Sequence, residues 1–341
     1  MTRRILIVNA LLAAVGMAAG AQQILINAGG ATFPYPMYSK WFDEYHKKVP
    51  NIAINYASIG SGGGIAQVTA GTVDFGASDG PMSDVQIKEF QAKRGSAILH
   101  FPTIMGADVP TYNVPGVTAQ LNFTGEALAG IFLGKITKWD DPVIAKANTG
   151  VKLPSNNIVV VHRSDNSGTT YIWTDYLSKV SKDWAAKPGR GTSVDWPVGL
   201  GGKGNEGVSG SIQQTANSIG YVELIYAIQN KMTYGKVQNA AGEFVLASLA
   251  GVTAAAAGMK EMPEDFRVSI TNAPGKGVYP ISSFTWLLIP SKIADPTKKK
   301  AIKDFLEWML ADGQKMTEAL SYAPLPKAVV AKELKAIDKI Q

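Results

Sequence analysis

Three short loops of the 341-residue sequence combine glycines with hydroxyl side chains just before predicted helices, at residues 30–33, 60–63 and 163–169. Each loop follows a predicted strand, so its backbone N–H groups would lie at a helix N-terminus, where anions bind readily. The hydroxyl groups would add neutral donors, and Arg163 would add a cation. The pattern indicates an anion site, although Ser and Thr at these positions are equally typical of ordinary helix N-caps.

Ser167 could also be the nucleophile of a hydrolase, which would need a histidine beside it. The sequence contains three histidines. His46 lies at the charged end of a predicted helix, and His100 lies in an apolar run that is typical of a packed core. His162 adjoins Arg163, but successive side chains of an extended segment point to opposite faces. No Gly-x-Ser-x-Gly elbow surrounds Ser167, so we predict no catalytic residue.

Motifs for cofactors and metals are incomplete. A P-loop needs Ser or Thr after the lysine, but Gly204 follows Lys203. A dinucleotide fingerprint fails because Ile65 replaces its final glycine. No group of His, Asp and Glu has metal-ligand spacing, and the chain contains no cysteine. We therefore expect no cofactor and no metal.

The composition is that of a soluble globular protein, with 46% hydrophobic and 18% charged residues. The formal net charge is +6, yet the longest basic run is only Lys298-Lys299-Lys300. A nucleic-acid interface would need a basic stripe with interleaved aromatic residues. A small acidic ligand is therefore favoured over nucleic acid as the partner.

The N-terminus is typical of a secretory signal peptide. Arg3 and Arg4 precede an almost purely apolar stretch over residues 5–19, and Ala19-Gly20-Ala21 fits the cleavage pattern. We predict cleavage after residue 21 and a periplasmic mature protein that begins at Gln22. Two alternatives fit less well: the apolar run is short for a membrane anchor, and the residues around the arginine pair do not suit twin-arginine export. The absence of cysteine excludes a lipoprotein.

Strands and helices alternate along the chain, which predicts an α/β protein with a mostly parallel sheet. The helices show apolar residues at helical spacing. The predicted strands cover residues 23–26, 52–56, 73–77, 157–161, 218–226 and 284–289, and the clearest helices cover residues 34–47 and 296–313. The glycine-rich residues 199–210 are predicted to form a mobile surface loop.

Several sequence runs occur in the same order as in one known family. They are residues 28–34, 60–64, 73–79, 133–139, 163–169, 199–205 and 219–223. Together they make the chain resemble the substrate-binding protein of phosphate-specific ABC transport over essentially the whole predicted mature chain.

The resemblance implies a type II periplasmic binding protein, in which two α/β lobes joined by a hinge enclose a ligand in the cleft. Lobe 1 would comprise residues 22–104 and 280–341, and lobe 2 residues 105–279. The expected function is capture of inorganic phosphate, as hydrogen phosphate, and its delivery to the membrane permease subunits of an ABC transporter. The protein would be a monomer that performs no chemistry. Another tetrahedral anion, such as sulfate or molybdate, remains the main alternative ligand.

The resemblance also implies the binding residues, which are Thr32, Phe33, Ser61, Asp79, Arg163, Ser167, Gly168 and Thr169. Phe33 and Gly168 would donate through their backbone N–H groups, and Asp79 would accept the proton of the ligand. Asp165 would orient Arg163 rather than contact the ligand. Two positions depart from the family pattern: Gly62 stands where many relatives have a second Ser, and Asn166 stands where Gly is common.

Overall fold

The computed structural model describes residues 23–341, so the predicted signal peptide lies outside the described residues. Among these residues, no helix is long and apolar enough to cross a membrane. The strands are β1 (Ile24–Gly30), β2 (Ile52–Ser58), β3 (Phe75–Ser78), β4 (Ile98–Asn113), β5 (Asn122–Phe123), β6 (Val159–Arg163), β7 (Leu200–Gly202), β8 (Ser218–Glu223), β9 (Thr233–Tyr234), β10 (Lys236–Gln238), β11 (Phe244–Val245) and β12 (Ser282–Pro290).

The helices are interspersed with these strands along the chain. They are α1 (Tyr35–Lys48), α2 (Ser61–Ala70), α3 (Asp84–Arg94), α4 (Gly125–Phe132), α5 (Pro142–Ala147), α6 (Gly168–Val180), α7 (Lys182–Ala186), α8 (Gly204–Gln214), α9 (Leu224–Gln229), α10 (Leu249–Ala257), α11 (Pro296–Ala311) and α12 (Lys327–Ala336). Short 3-10 turns cover Gly313–Met316, Glu318–Leu320 and Ile337–Lys339.

The main sheet has the strand order β2-β1-β3-β12-β4-β8-β6-β7, and β9 also pairs with β4. Strand β1 is parallel to β2 and β3, and β6 is parallel to β7 and β8. The centre is antiparallel, because β12 pairs with β3 and β4 in that sense and β4 does so with β8. The prediction of a mostly parallel sheet was therefore wrong at the centre, since local sequence patterns do not report the direction of a distant strand.

Strand β4 connects the two ends of this sheet. Its residues up to Ala107 pair with β12, and from Asp108 onward they pair with β8. We call the elements on the β1–β3 and β12 side lobe 1, and those on the β5–β11 side lobe 2. The boundary predicted between residues 104 and 105 thus lies inside a continuous strand. The change of pairing partner occurs three residues later, between Ala107 and Asp108.

Helix α1 shows how lobe 1 acquires its core. Tyr38, Trp41, Phe42 and Tyr45 recur at helical spacing, and all four are buried. Phe42 and Tyr45 pack on Phe305 of α11, with ring centroids 5.5 and 5.2 Å away. Burial of each large side chain contributes about 2 kcal/mol. The helix and its buried face agree with the sequence prediction, and the packing fixes the loop that precedes the helix.

The glycine-rich residues 199–210 are ordered, so the prediction of a mobile loop was wrong. They form strand β7 and the first turns of helix α8. Gly202 packs so closely on this helix that a Cβ there would lie 2.7 Å from Val208 N. Gly204 has a φ of +71° at the start of the helix, a conformation that favours glycine. The glycines serve close packing and a sharp turn rather than flexibility.

Candidate functional site

Three loops converge between the lobes, although they are far apart in sequence. They precede or begin α1, α2 and α6 at the ends of strands β1, β2 and β6. Gly168 of lobe 2 lies against lobe 1: a Cβ there would be 2.3 Å from Ser61 Oγ and 2.4 Å from Asp79 Oδ2. The site residues implied by the resemblance are all buried, namely Thr32, Phe33, Ser61, Asp79, Arg163, Ser167, Gly168 and Thr169.

Thr32 and Phe33 lie in the turn between β1 and α1. The Phe33 ring is fully buried beside Tyr322, whose hydroxyl donates to Phe33 O at 2.5 Å. Thr32 O accepts a hydrogen bond from Tyr226 OH of lobe 2 at 2.6 Å. Within the described residues, the N–H of Phe33 has no hydrogen-bond acceptor. The turn therefore offers a backbone donor at the start of α1, where the helix dipole favours an anion.

Asp79 follows β3 and is held by neutral groups. Its Oδ1 accepts from Thr285 Oγ1 at 2.7 Å, and its backbone N–H donates to Ser61 Oγ at 3.1 Å. Burial raises the pKa of Asp79 to about 7, although the Thr285 hydrogen bond, the Arg163 charge and Ser61 oppose this shift. Near neutral pH this carboxyl can therefore accept or share a proton. Thr285 lies on β12, far away in sequence, and no local pattern identified it.

Arg163 ends β6 with its side chain buried beside Asp165. Its Nε and Nη2 donate to the two Asp165 oxygens at 2.8 and 2.6 Å, and its Nη1 donates to Thr169 Oγ1 at 3.1 Å. Burial alone would raise the pKa of Asp165, but Arg163 holds it below its usual range. A guanidinium has five N–H donors, so two remain for a further acceptor. Asp165 thereby fixes the direction of the arginine.

Helix α6 begins beside this arginine. Ser167 is its N-cap, and Ser167 Oγ accepts from Thr170 N at 3.1 Å. The N-cap interpretation from the sequence therefore applies to this hydroxyl, which still has its own proton to donate. Within the described residues, the backbone N–H groups of Gly168 and Thr169 have no acceptor. The N-terminus of α6 can thus supply several donors to one anion.

Asn205 is a buried cleft residue that the sequence interpretation did not select. It lies in the first turn of α8, in the segment that was predicted to be mobile. Its Nδ2 lies 2.8 Å from Thr32 Oγ1 of lobe 1 and 3.2 Å from Thr169 Oγ1 of lobe 2. The family resemblance included the run 199–205, and this was the only sequence signal for the residue.

The two departures from the family pattern face each other across the cleft. Gly62 N donates to Asn166 O at 2.9 Å, which links α2 of lobe 1 to the loop before α6. A Cβ at Gly62 would lie only 2.2 Å from Asn166 Cβ. The small residue on one lobe therefore accommodates the larger residue on the other. Neither substitution could be judged alone from the sequence.

The histidines lie outside this cleft arrangement. His46 is exposed on α1, whereas His100 is buried and its Nε2 accepts from Met82 N at 3.1 Å. Burial lowers the pKa of His100 to about 4. His162 stacks on Trp196 with centroids 4.7 Å apart. In the described part of the chain, no histidine is hydrogen-bonded to Ser167 and no cluster of potential metal ligands occurs.

Residues 17–313 match the family model described as "PBP superfamily domain". The chain is 46% identical to the phosphate-binding protein PstS of Xylella fastidiosa (strain Temecula1), with 91% of this chain and 84% of the relative covered. It is 45% identical to the PstS protein of Pasteurella multocida, with 97% and 94% covered. A phosphate-bound structure of the periplasmic phosphate-binding protein PfluDING has a TM-score of 0.73 and 22% identity, covering 91% of this chain and 93% of that one.

Proposed function

This chain belongs to the phosphate-binding protein family, and we propose that it captures inorganic phosphate outside the cytoplasmic membrane for import by an ABC transporter. The observation that carries the proposal is a buried cleft that combines the cation of Arg163, several neutral donors and the carboxyl of Asp79, whose pKa is raised. Phosphate near neutral pH accepts hydrogen bonds through most of its oxygens and donates through at least one. The cleft offers the complementary set of groups.

The proposed ligand contacts follow from this arrangement. The two unused N–H groups of Arg163 would bind two phosphate oxygens, because a guanidinium and an oxyanion form parallel bonds. Thr32, Phe33, Ser61 and the start of α6 would donate to the others. Asp79 would accept the phosphate proton in a short charge-assisted bond. Above a pH of about 7, where Asp79 is ionised, sulfate carries no proton and would place an oxygen against the Asp79 carboxylate.

Capture would involve closure of the two lobes around β4. Thr32 O and Gly62 N already make cross-lobe hydrogen bonds, to Tyr226 OH and Asn166 O. A ligand that contacts both lobes favours the closed state, because it makes fewer contacts when the lobes are apart. We therefore retain the division into residues 22–104 with 280–341 and residues 105–279. The hinge would include the change of pairing partner at Ala107 and Asp108.

The proposal also includes export of the protein, delivery of phosphate to a transporter and a monomeric state of the protein. We propose that residues 1–21 are removed as a signal peptide and that the mature protein acts in the periplasm. The curated relatives are named as binding proteins, and the protein binds phosphate without catalysis. Its proposed partners are the membrane permease subunits of a phosphate ABC transporter.

Calorimetry on the mature chain, freed of bound ligand, tests the function. Phosphate, sulfate and molybdate are titrated separately, and phosphate is also titrated in excess sulfate. We expect tight binding of phosphate alone and no competition by sulfate. Tighter binding of sulfate or molybdate would instead support the alternative anion. Release of phosphate from an ester substrate would support a hydrolase.

A further inference from the structure

We propose that Asn205 is a positioning residue that makes two threonine hydroxyls, Thr32 and Thr169, donate into the cleft. The inference rests on the proposed function and deepens it. A threonine hydroxyl can donate or accept, so its presence beside an anion does not make it a donor. Asn205 resolves this ambiguity for one threonine of each lobe at the same time.

The orientation of the Asn205 amide is fixed by the backbone of β8. Glu223 N lies 3.0 Å from Asn205 Oδ1. A backbone N–H can only donate, so the amide atom facing it must be the acceptor oxygen. The residue is fully buried, and no water exchange competes for this contact. The NH₂ group must therefore face the two threonines.

The direction of the hydrogen bonds follows from this orientation. An amide NH₂ group only donates, so both Thr32 Oγ1 and Thr169 Oγ1 accept from it, at 2.8 and 3.2 Å. Thr169 Oγ1 also accepts from Arg163 Nη1 at 3.1 Å, which fills both of its lone pairs. Thr32 Oγ1 accepts a second, longer bond from the Asn205 backbone N–H at 3.4 Å.

Each threonine is therefore left with its own O–H to donate. Within the described residues, neither hydroxyl donates to a protein acceptor. Phosphate oxygens that carry no proton can only accept, so they need hydroxyls turned in this direction. Without Asn205 each hydroxyl could rotate and present a lone pair to the anion instead. The Asn205–Thr169 contact lies within lobe 2, whereas the Asn205–Thr32 contact links the lobes, so the Thr32 hydroxyl is oriented only when the cleft is closed.

Asn205→Asp tests this, because aspartate keeps the shape and the Oδ1 acceptor but replaces the donating NH₂ with an accepting oxygen. It also adds a negative charge that repels phosphate, so the uncharged Asn205→Ala variant is measured beside it. The threonines would then turn their protons toward residue 205. We expect the phosphate Kd, measured by calorimetry, to rise about 100-fold, as for a buried hydrogen-bonding group left with the wrong partner. A Kd within about threefold of wild type would overturn the inference.

Asn148→Asp is a matched control within lobe 2. Asn148 is also buried, its Nδ2 donates to Asn122 O and Ile144 O at 2.9 Å each, and its Oδ1 accepts from Asn122 N at 2.8 Å. The same chemical change occurs there, but away from the cleft. We expect a lower melting temperature and a phosphate Kd within about threefold of wild type. Equal loss of affinity in both variants would contradict a specific role for Asn205.

A double-mutant cycle separates positioning from general stability and remains available if Asn205→Asp does not fold. Asn205→Ala is measured alone and combined with Thr32→Val and Thr169→Val, which remove the hydroxyls but keep the side-chain shape. We expect about a 10-fold loss for Asn205→Ala alone and about a twofold loss in the valine background. Additive losses would overturn the inference. Failure of the wild type to bind phosphate would instead overturn the proposed function.

Discussion

Asp79 of lobe 1 and Asp165 of lobe 2 are carboxylates of the same cleft in opposite surroundings. Asp165 receives two hydrogen bonds from Arg163, and its pKa is held below the usual range against the effect of burial. Asp79 has only uncharged hydrogen-bond partners, and burial raises its pKa to about 7. One carboxylate belongs to an ion pair, whereas the other remains available to a proton.

This difference indicates that the two lobes contribute different properties to ligand binding. Lobe 2 provides the cation in a fixed direction, which attracts any small oxyanion. Lobe 1 provides an uncompensated carboxyl, which repels an anion unless that anion brings a proton. Affinity should therefore depend mostly on Arg163 and selectivity mostly on Asp79.

The largest expected effect is the loss of the lobe 2 cation. Arg163→Ala should weaken phosphate binding by roughly 2–5 kcal/mol, because it removes a buried charged donor and leaves Asp165 without its partner. Arg163→Lys should lose less affinity, since lysine keeps the charge but not the paired donors. Calorimetry measures both variants.

Arg190→Ala provides the matched control for this change. Arg190 also pairs with an aspartate, Asp175, at 2.8 Å, but it lies outside the proposed ligand contacts. We expect a phosphate Kd within about threefold of wild type. If Arg163→Ala retained wild-type affinity, Arg163 would not belong to the site.

Asp79→Asn keeps the shape of the side chain but should change the preference of the site for phosphate over sulfate. Asparagine can turn an N–H toward the ligand, so the repulsion of sulfate disappears and the acceptor for the phosphate proton is weakened. We expect phosphate affinity to fall by about 1–3 kcal/mol and sulfate competition to appear. Competition calorimetry gives the ratio of the two affinities. An unchanged ratio would show that Asp79 does not select the ligand.

The contact between Gly62 and Asn166 tests the closure of the lobes. Gly62→Ala would place a Cβ 2.2 Å from Asn166 Cβ in the closed state, so phosphate affinity should fall by about 1–3 kcal/mol. Asn166→Gly should restore most of this loss in the double variant. Gly210→Ala, in a helical position with no neighbour within 4 Å, should leave affinity unchanged. If Asn166→Gly did not restore phosphate affinity in the double variant, a steric clash between residues 62 and 166 would not explain the loss.

The last effect concerns the stability of the ligand-free protein rather than its affinity for phosphate. Because the pKa of Asp79 is raised from 3.8 to about 7, the folded protein retains a proton that the unfolded chain releases between these values. Asp79 thus reduces the unfolding free energy as pH rises from about 4 to 7. At pH 8 we expect Asp79→Asn to be more stable than wild type by at least about 1 kcal/mol, and the difference should vanish near pH 4. Denaturant titrations without phosphate measure this, and a difference independent of pH would contradict the assignment.

The sequence predicted the parts of the site that depend on local pattern. Loops after β1, β2 and β6 could be identified because strand, glycine turn and helix follow one another directly. The buried face of α1 followed from its apolar spacing. These features require only a few adjacent residues.

Features that depend on packing between distant segments were missed. Thr285 reaches Asp79 from the antiparallel strand β12, and Asn205 reaches Thr32 from the other lobe. Glycines 202 and 204 indicated flexibility in the sequence, but they allow close packing and a positive φ in the structure. Local composition does not distinguish these two uses of glycine.

A crystal structure of the mature protein with phosphate would show where the ligand binds. We expect one tetrahedral ligand between Asp79 and Arg163, within hydrogen-bond distance of Asp79 Oδ2, the two unused Arg163 N–H groups and Ser167 Oγ. Crystals grown in sulfate without phosphate should show no ligand at that position. Phosphate bound elsewhere, or sulfate in the same place above the Asp79 pKa of about 7, would contradict this arrangement.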